Sequence, residues 1–430
     1  MSKTYFNISD KLRLYEFDGM LDQYGDAAAA YSLRKLRNGY TGDAIRVRRS
    51  SDNTERDMGF YDNELDTVAL LNWVNADYVR YQSDFRASSP YTQYSANVTT
   101  SVGESIDGVD DAMKVTLTGG NTNHDICPIL NATSFLGQQV TFEFDYYIPS
   151  SNALVDNLFN QNTFSSVTSS TSNLDVLDAW TSVVIEGVTK FAPENIDTFI
   201  RARANTSQTF DADGDVFYLK NIRIIQLTAD GHVQTWYDQS ANANHAVQGT
   251  ATAQPKIVDA GALVTVNGKP AILGDGVDDN ISSTNVGTFP SPLTVAAVYD
   301  SVVENGYLGG VFSGANNGPG FLLNYANAGF TAYQQGPALT PGVLTPNQSL
   351  MFFKSSTTGI DWKLYINSAE ILNSGEDIGA SVGDKITLFS RGNSISFSNA
   401  NIQEFIVYGS DNTSMRTDIE TNINTHYSIY

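Results

Sequence analysis

The chain has 430 residues, enough for two or three domains that each bury a core. It carries 25 Lys+Arg against 47 Asp+Glu, a formal net charge of -22, which argues against nucleic acid or an anionic membrane surface as partner. With one cysteine, Cys127, it can form no internal disulfide, and no stretch approaches the ~18 consecutive apolar residues of a membrane-spanning helix.

The opening "MSKTYFNISDKLRLYEFDGM" contains no apolar h-region, so no secretory signal is expected there. Residues 1–24 read as an N-terminal attachment segment. "GDAAAAYSLRKLR" then reads as a helix, with Asp26 as N-cap, Ala29, Leu33 and Leu36 on one face, and Gly39 as the stop. In "AIRVRRSSDN" strand alternation puts Arg46 and Arg48 on one face and Ile45, Val47 and Arg49 on the other. "LDTVALLNWVNA" reads as a second helix, capped by Asp66, with Leu70, Leu71 and Val74 inward.

From about Asp77 the texture becomes strand-rich. "QVTFEFDYYI" alternates Val140, Phe142, Phe144, Tyr146 and Ile148 against polar partners, and "TSVVIEGVTKF", "DTFIRARAN" and "DVFYLKNIRIIQL" follow as strands of a compact antiparallel sandwich. The serine- and threonine-rich "NTFSSVTSSTSN" reads as a loop. From Ala229 onward short strands return, and Asn267-Gly268 marks a hairpin between "LVTV" and "KPAIL". The chain closes with a helix whose Met415, Ile419 and Ile423 form one apolar stripe.

Three stretches, "AAYSLRKLRNGYTGDAIRVRRSSDNTERDMGF", "VQTWYDQSANANHAVQ" and "AQPKIVDAG", resemble the catalytic domain of fungal α-L-arabinofuranosidase B and its relatives in bacterial and tailed-phage proteins. The resemblance covers about Asp18–Ala76 and Gly231–Tyr430. It implies an all-β fold: a concanavalin/laminin-G-like jelly-roll sandwich with short N-terminal and C-terminal helices. In such relatives the second helix runs almost directly into the "WYDQS" strand. Residues 25–76 and 229–430 therefore read as one concanavalin-like domain, and 77–228 as an inserted β-sandwich resembling a carbohydrate-binding module.

Retaining glycosidases need two carboxyl groups about 5–5.5 Å apart. The family's nucleophile motif matches at Glu304 in "VVENGYLGGVFSG", a match of three residues. Where the resemblance places the second acid, no carboxylate occurs from Ser390 to Gln403. The pair is incomplete, and a non-catalytic role is favoured. Trp180, Tyr146, Tyr147, Trp236 and Tyr237 are candidates for stacking on sugar faces, with Trp236 assigned to the core. Arg46, Arg48 and Arg49 are expected to pair with Asp52, Asp57 or Asp238 and pin the loop after their strand. Asp275, Asp278 and Asp279 in "DGVDD" are oxygen donors of the type Ca²⁺ takes, without EF-hand spacing, and read as a strand-end turn. His124, His232, His245 and His426 show no metal-ligand spacing, and no cofactor is expected.

The resemblance, the incomplete pair and the missing signal together favour a virion-associated structural protein of a tailed phage, such as a head fibre, capsid decoration or tail-associated protein. It would sit at the virion surface as a homo-oligomer, contact other virion proteins and bind host surface glycans. The alternatives are a glycoside hydrolase of arabinofuranosidase type and a bacterial surface adhesin.

Overall fold

The structure is a computed structural model. It describes residues 19–25, 27–76, 78–82, 91–93, 98–106, 108, 110–117, 123–128, 137–151, 155–159, 164–171, 176–189, 200–204, 215–290, 292–303, 306–312, 320–324, 329–333, 347–355, 362–374, 382–392 and 395–430. Asp26, Glu304 and residues 1–18 lie outside the described residues, as do the side chains of Cys127 and His124. The fold is all-β, built from antiparallel sheets packed as sandwiches. The chain divides into two compact units: unit one takes Met1–Arg49, Thr54–Leu71 and Gly231–Tyr430, and unit two takes Ser50–Asn53 and Asn72–Asp230.

In unit one, the strand Asn399–Tyr408 is central. Along one edge it pairs with Thr294–Val303, and along the other with Ala27–Ser32 and then Ile272–Leu273. Beyond Thr294–Val303 the sheet continues through Ser349–Lys354 and Trp362–Ile366 to Ala369–Ser374. Two helices cover its outer face: α1 (Met20–Gln23) and α3 (Arg416–Tyr427). Met20, Leu21, Ile419, Ile423 and Tyr427 pack there against Ala30, Val298, Phe352 and Ile406. Covered on both faces, Asn399–Tyr408 is buried from Ala400 to Tyr408, and only its second half, Phe405–Tyr408, reads in sequence as a continuous apolar run; Asn401, Gln403 and Glu404 are buried polar residues.

Ala27–Ser32 is a strand, not the expected helix. Alanine is the strongest helix former, but here burial on both faces decides. Ala29 and Ala30 are fully buried, one on each face of the strand, as close packing of small residues in a covered sheet allows. At the end of the segment 1–24, Met20 and Leu21 are core residues of unit one. The second expected helix is present as α2 (Thr67–Val74): the Asp66 carboxylate accepts from Ala69 N–H at 2.9 Å, and Leu70 and Val74 are buried while Leu71 is half-buried. The Asn267-Gly268 hairpin is present too. Val266 pairs with Lys269 across a two-residue turn, and both central residues have positive φ, 49° and 73°.

Unit two contains a seven-stranded and a four-stranded antiparallel sheet. The larger runs in the order Phe164–Thr171, Thr181–Thr189, Gln139–Tyr147, Asp215–Gln226, Asp110–Leu117, Val98–Ser105, with Tyr78–Gln82 also on Asp215–Gln226. Val140, Phe142, Phe144, Tyr146 and Ile148 point inward, as their alternation predicts. Phe164–Thr171 corrects the expected loop. It is an edge strand, where threonine and valine suit the pleat and serine hydroxyls can face water.

Candidate functional site

The loop after Gly231–Trp236 is an architectural knot. Trp236 is fully buried, its ring 6.0 Å from that of Tyr31. Asp238 accepts from Ala30 N–H at 2.8 Å, Ser240 N–H at 2.8 Å, Ser240 Oγ at 2.6 Å and Asn244 N–H at 2.9 Å. Gln239 accepts from Leu36 N–H and donates to the carbonyls of Ser32 and Arg34. Asn242 and Asn244 donate to the carbonyls of Ala27 and Ala28. The loop thus satisfies the backbone of the Ala27–Ser32 strand and the segment after it, groups that a sheet edge would otherwise bury unpaired.

Asp238 is not the partner of the arginine strand Ile45–Arg49, because its acceptors are filled by the loop itself. Arg46 instead makes a two-pronged pair with Asp57, at 2.8 and 2.7 Å, and Tyr237 donates to the same carboxylate at 2.6 Å. These donors hold the Asp57 carboxyl below its ordinary range, the Arg46 hydrogen bond most of all. Arg48 donates to Gln254 Oε1 and the Ala251 carbonyl. Arg49 N–H closes the following turn on Thr54 O at 2.9 Å, and Asp52 lies in that turn.

The sequence did not point to the most deeply buried ion pair among the described residues. Glu404, in the central strand of unit one, is fully buried and bonded by Arg34 at 2.8 and 3.1 Å and by Ser32 Oγ at 2.8 Å. Burial alone would raise its carboxyl, but the Arg34 charge and these bonds hold it below the ordinary value. His426 lies 3.5 Å from Glu64, which is ion-pair distance, yet burial and the Arg34 charge push its imidazole down to about 3. It is neutral at pH 7, so that contact is not an ion pair there. The only signal in sequence was an acid inside an apolar strand.

Asp275, Asp278 and Asp279 bring one ligand atom each within 4.8 Å of one another. Asp275 Oδ1 already accepts from the N–H groups of Val277, Asp278 and Asp279, and Asp279 Oδ2 accepts from Asp275 N–H. This is a self-closed turn, and three carboxylates supply part of the six to eight oxygens that Ca²⁺ takes. Burial and the two neighbouring acids push the Asp279 carboxyl up to about 7.

The stacking candidates divide. Tyr146 and Trp236 belong to the cores. Tyr237 is tied to Asp57, with its ring 5.0 Å from His245. Tyr147 and Trp180 come together on the outer face of the seven-stranded sheet, ring centroids 5.7 Å apart, and Tyr218 joins them 6.0 Å from Tyr147. Lys220 Nζ lies 4.2 Å from the centre of the Trp180 ring, a cation–π contact. A bulge builds this face. Asn221 sits at φ 53°, and the register slips opposite Glu143–Asp145, so Lys220 and Asn221 both face outward between the inward pairs Phe217/Leu219 and Ile222/Ile224. Asn tolerates that backbone conformation better than most residues.

Beside the rings runs a row of hydrogen-bonding side chains. Ser182 Oγ donates to Asp145 Oδ1 at 2.6 Å, Asn221 Nδ2 to Asp145 Oδ2 at 2.7 Å, and Arg223 pairs with Glu143 at 3.2 Å. They line a shallow cleft of about 450 Å³. An apolar ring surface flanked by fixed amide, hydroxyl, carboxylate and guanidinium groups matches the two-sided chemistry of a sugar ring. Sequence reasoning found Tyr147 and Trp180 but missed Tyr218 and Lys220, which plain alternation with Phe217 and Leu219 places outward, and Asn221, whose bulge has no marker beyond one asparagine.

No protein-family model matches the chain, and no curated protein matches it. Among solved structures, a GH54 α-L-arabinofuranosidase soaked with a cyclic sulfate inhibitor is similar at a TM-score of 0.47 and 10% identity, over 92% of this chain and 62% of that one. An arabinofuranosidase complexed with arabinofuranosyl-α-1,2-xylobiose is similar at 0.46 and 10%, with the same coverage of 92% and 62%. A Trypanosoma rangeli sialidase in complex with sialic acid is similar at 0.33 and 11%, over 44% of this chain and 31% of that one. The chain spans less than two thirds of the length of each.

Proposed function

We propose that the chain is a glycan-binding structural protein of a tailed-phage virion, a head fibre, capsid decoration or tail-associated protein that presents β-sandwiches to sugars on the host surface. The observation that carries the glycan reading is the outer face of the seven-stranded sheet. There Tyr147, Trp180 and Tyr218 stand beside Asp145, Ser182, Asn221 and Arg223. A sugar lays its C–H face on the rings, and its hydroxyls reach the polar row. Asp145 fixes Ser182 and Asn221 in place, so little side-chain entropy is lost on binding. Lys220, held over Trp180, orients that ring.

The virion setting, with unit one as a concanavalin-like jelly roll, is supported by the resemblance of the segments around Tyr31 and Trp236 to tailed-phage relatives, and by the incomplete glycosidase pair. Other virion proteins and further copies of the chain are the partners in this reading. The purified chain should bind surface polysaccharide from a susceptible host, and Trp180→Ala and Tyr147→Ala should each weaken binding roughly tenfold or more. Variants that bind as the parent does, with unchanged circular dichroism, would remove the site. Mass spectrometry of purified virions tests the setting: absence of the chain from particles sinks it.

A further inference from the structure

In unit one, a cleft of about 500 Å³ opens between the segments Arg37–Asp43 and Tyr237–His245. Two of its charged residues, Arg37 and Asp43, have no direct side-chain partner among the described residues. Asp238, Gln239 and Ser240 are committed to the loop and the neighbouring strand. Of the other lining residues, Arg37, Asp43, Tyr40, Tyr237 and His245 carry the side chains with charge, ring faces or an imidazole to offer a ligand. Among the described residues, neither the Arg37 nor the Asp43 side chain makes a hydrogen bond or ion pair, and they do not pair with each other.

Three further observations bear on what fits. His245 Nδ1 accepts from Asp238 N–H at 3.1 Å, so the neutral ring carries its proton on Nε2 and offers a donor on its other side. Arg46 is committed to its two-pronged pair with Asp57, whereas burial and the Asp57 charge push the Asp43 carboxyl up, with a smaller opposing effect from Arg46. A cation at Asp43 would relieve both. A Cβ at Gly42 would stand 2.7 Å from the Tyr40 hydroxyl, so a side chain there would displace the Tyr40 ring.

We infer that this cleft binds a small zwitterion carrying one carboxylate and one ammonium group, in the manner of a free α-amino acid. The ligand carboxylate meets the Arg37 fork, which suits a planar anion, with His245 Nε2–H as a further donor. The ammonium meets Asp43 against the tyrosine rings, whose faces attract cations. A simple anion would leave Asp43 uncompensated and a simple cation would leave Arg37 so. The cleft volume falls within the range of small-molecule sites. The site lies in unit one and is independent of the glycan face of unit two.

The test is calorimetric titration of the full chain with a panel of free α-amino acids, each beside its N-acetyl form, which lacks the ammonium, and its methyl ester, which lacks the carboxylate. At least one free amino acid should bind, and both of its derivatives should bind at least about tenfold more weakly. Arg37→Ala and Asp43→Asn should each cause a similar loss while the unfolding midpoint holds. Absence of binding for the whole panel up to about 10 mM overturns the inference. So does a derivative that binds as well as its parent, or a parent affinity retained in both variants.

Discussion

Asp238 gathers four hydrogen bonds from three residues, Ala30, Ser240 and Asn244, while remaining 3% exposed. Its carboxylate collects three backbone N–H groups and the Ser240 hydroxyl. Asp238→Ala should therefore lower stability by about 3–5 kcal/mol, the range for breaking a buried, hydrogen-bonded charge. Asp238→Asn keeps one acceptor oxygen and should cost less. Denaturant unfolding of both variants measures the difference, and polysaccharide binding by unit two should stay at the parent level. A loss of binding with unchanged stability would reverse the role assigned here. The residue types of this loop were legible: an acid and amides amid turn formers announce a self-bonding segment. Their partners in Ala27–Leu36 lie about 200 positions away in sequence, and no local pattern reports a pairing of that separation.

At the scale of elements, local signals held where local chemistry decides. Asn267-Gly268 fixes a two-residue hairpin, and Asp66 caps α2. They failed where the environment decides. Four alanines in Ala27–Ser32 favour a helix by propensity, yet the space between a helix-covered sheet face and the opposite layer admits a strand of small residues. The serine-rich Phe164–Thr171 reads as a loop until its position at a sheet edge explains the polar side chains. The hairpin also has a second task. Asn267 Nδ2 donates to the carbonyls of Tyr427 at 2.8 Å and Ser428 at 3.0 Å, capping the end of α3 from outside. Asn267→Gly retains the positive-φ turn and removes only the amide. It should cost about 1 kcal/mol, the usual value of a lost cap, and speed amide exchange in the last turn of α3. A stability loss without faster exchange there would place the effect in the turn instead.

For the whole molecule, the two units have separate cores, and calorimetry should resolve two transitions rather than one. The pH response identifies unit one, where the two groups with the large shifts across pH 7 to 5 act in opposite directions, and the smaller upward shifts of Asp43, Asp300 and Glu420 are common to the parent and to variants of those two groups. His426 has its pKa lowered to about 3 from 6.5. As pH falls through 6.5 the unfolded chain takes up a proton that the folded chain refuses, so this group's stabilisation is lost on acidification. Asp279 has its pKa raised to about 7 from 3.8. As pH falls through 7 the folded chain takes up a proton that the unfolded chain refuses until near 3.8, so this group favours folding on acidification. Removing one leaves the other in view. In Asp279→Asn the unit-one transition should fall in temperature from pH 7 to pH 5, and in His426→Gln it should rise, each by the equivalent of roughly 1–2 kcal/mol. The unit-two transition, which holds neither group, should move equally in parent and variants. Slopes of the same sign in the two variants would show that the buried histidine and the aspartate turn do not govern the acid response of unit one.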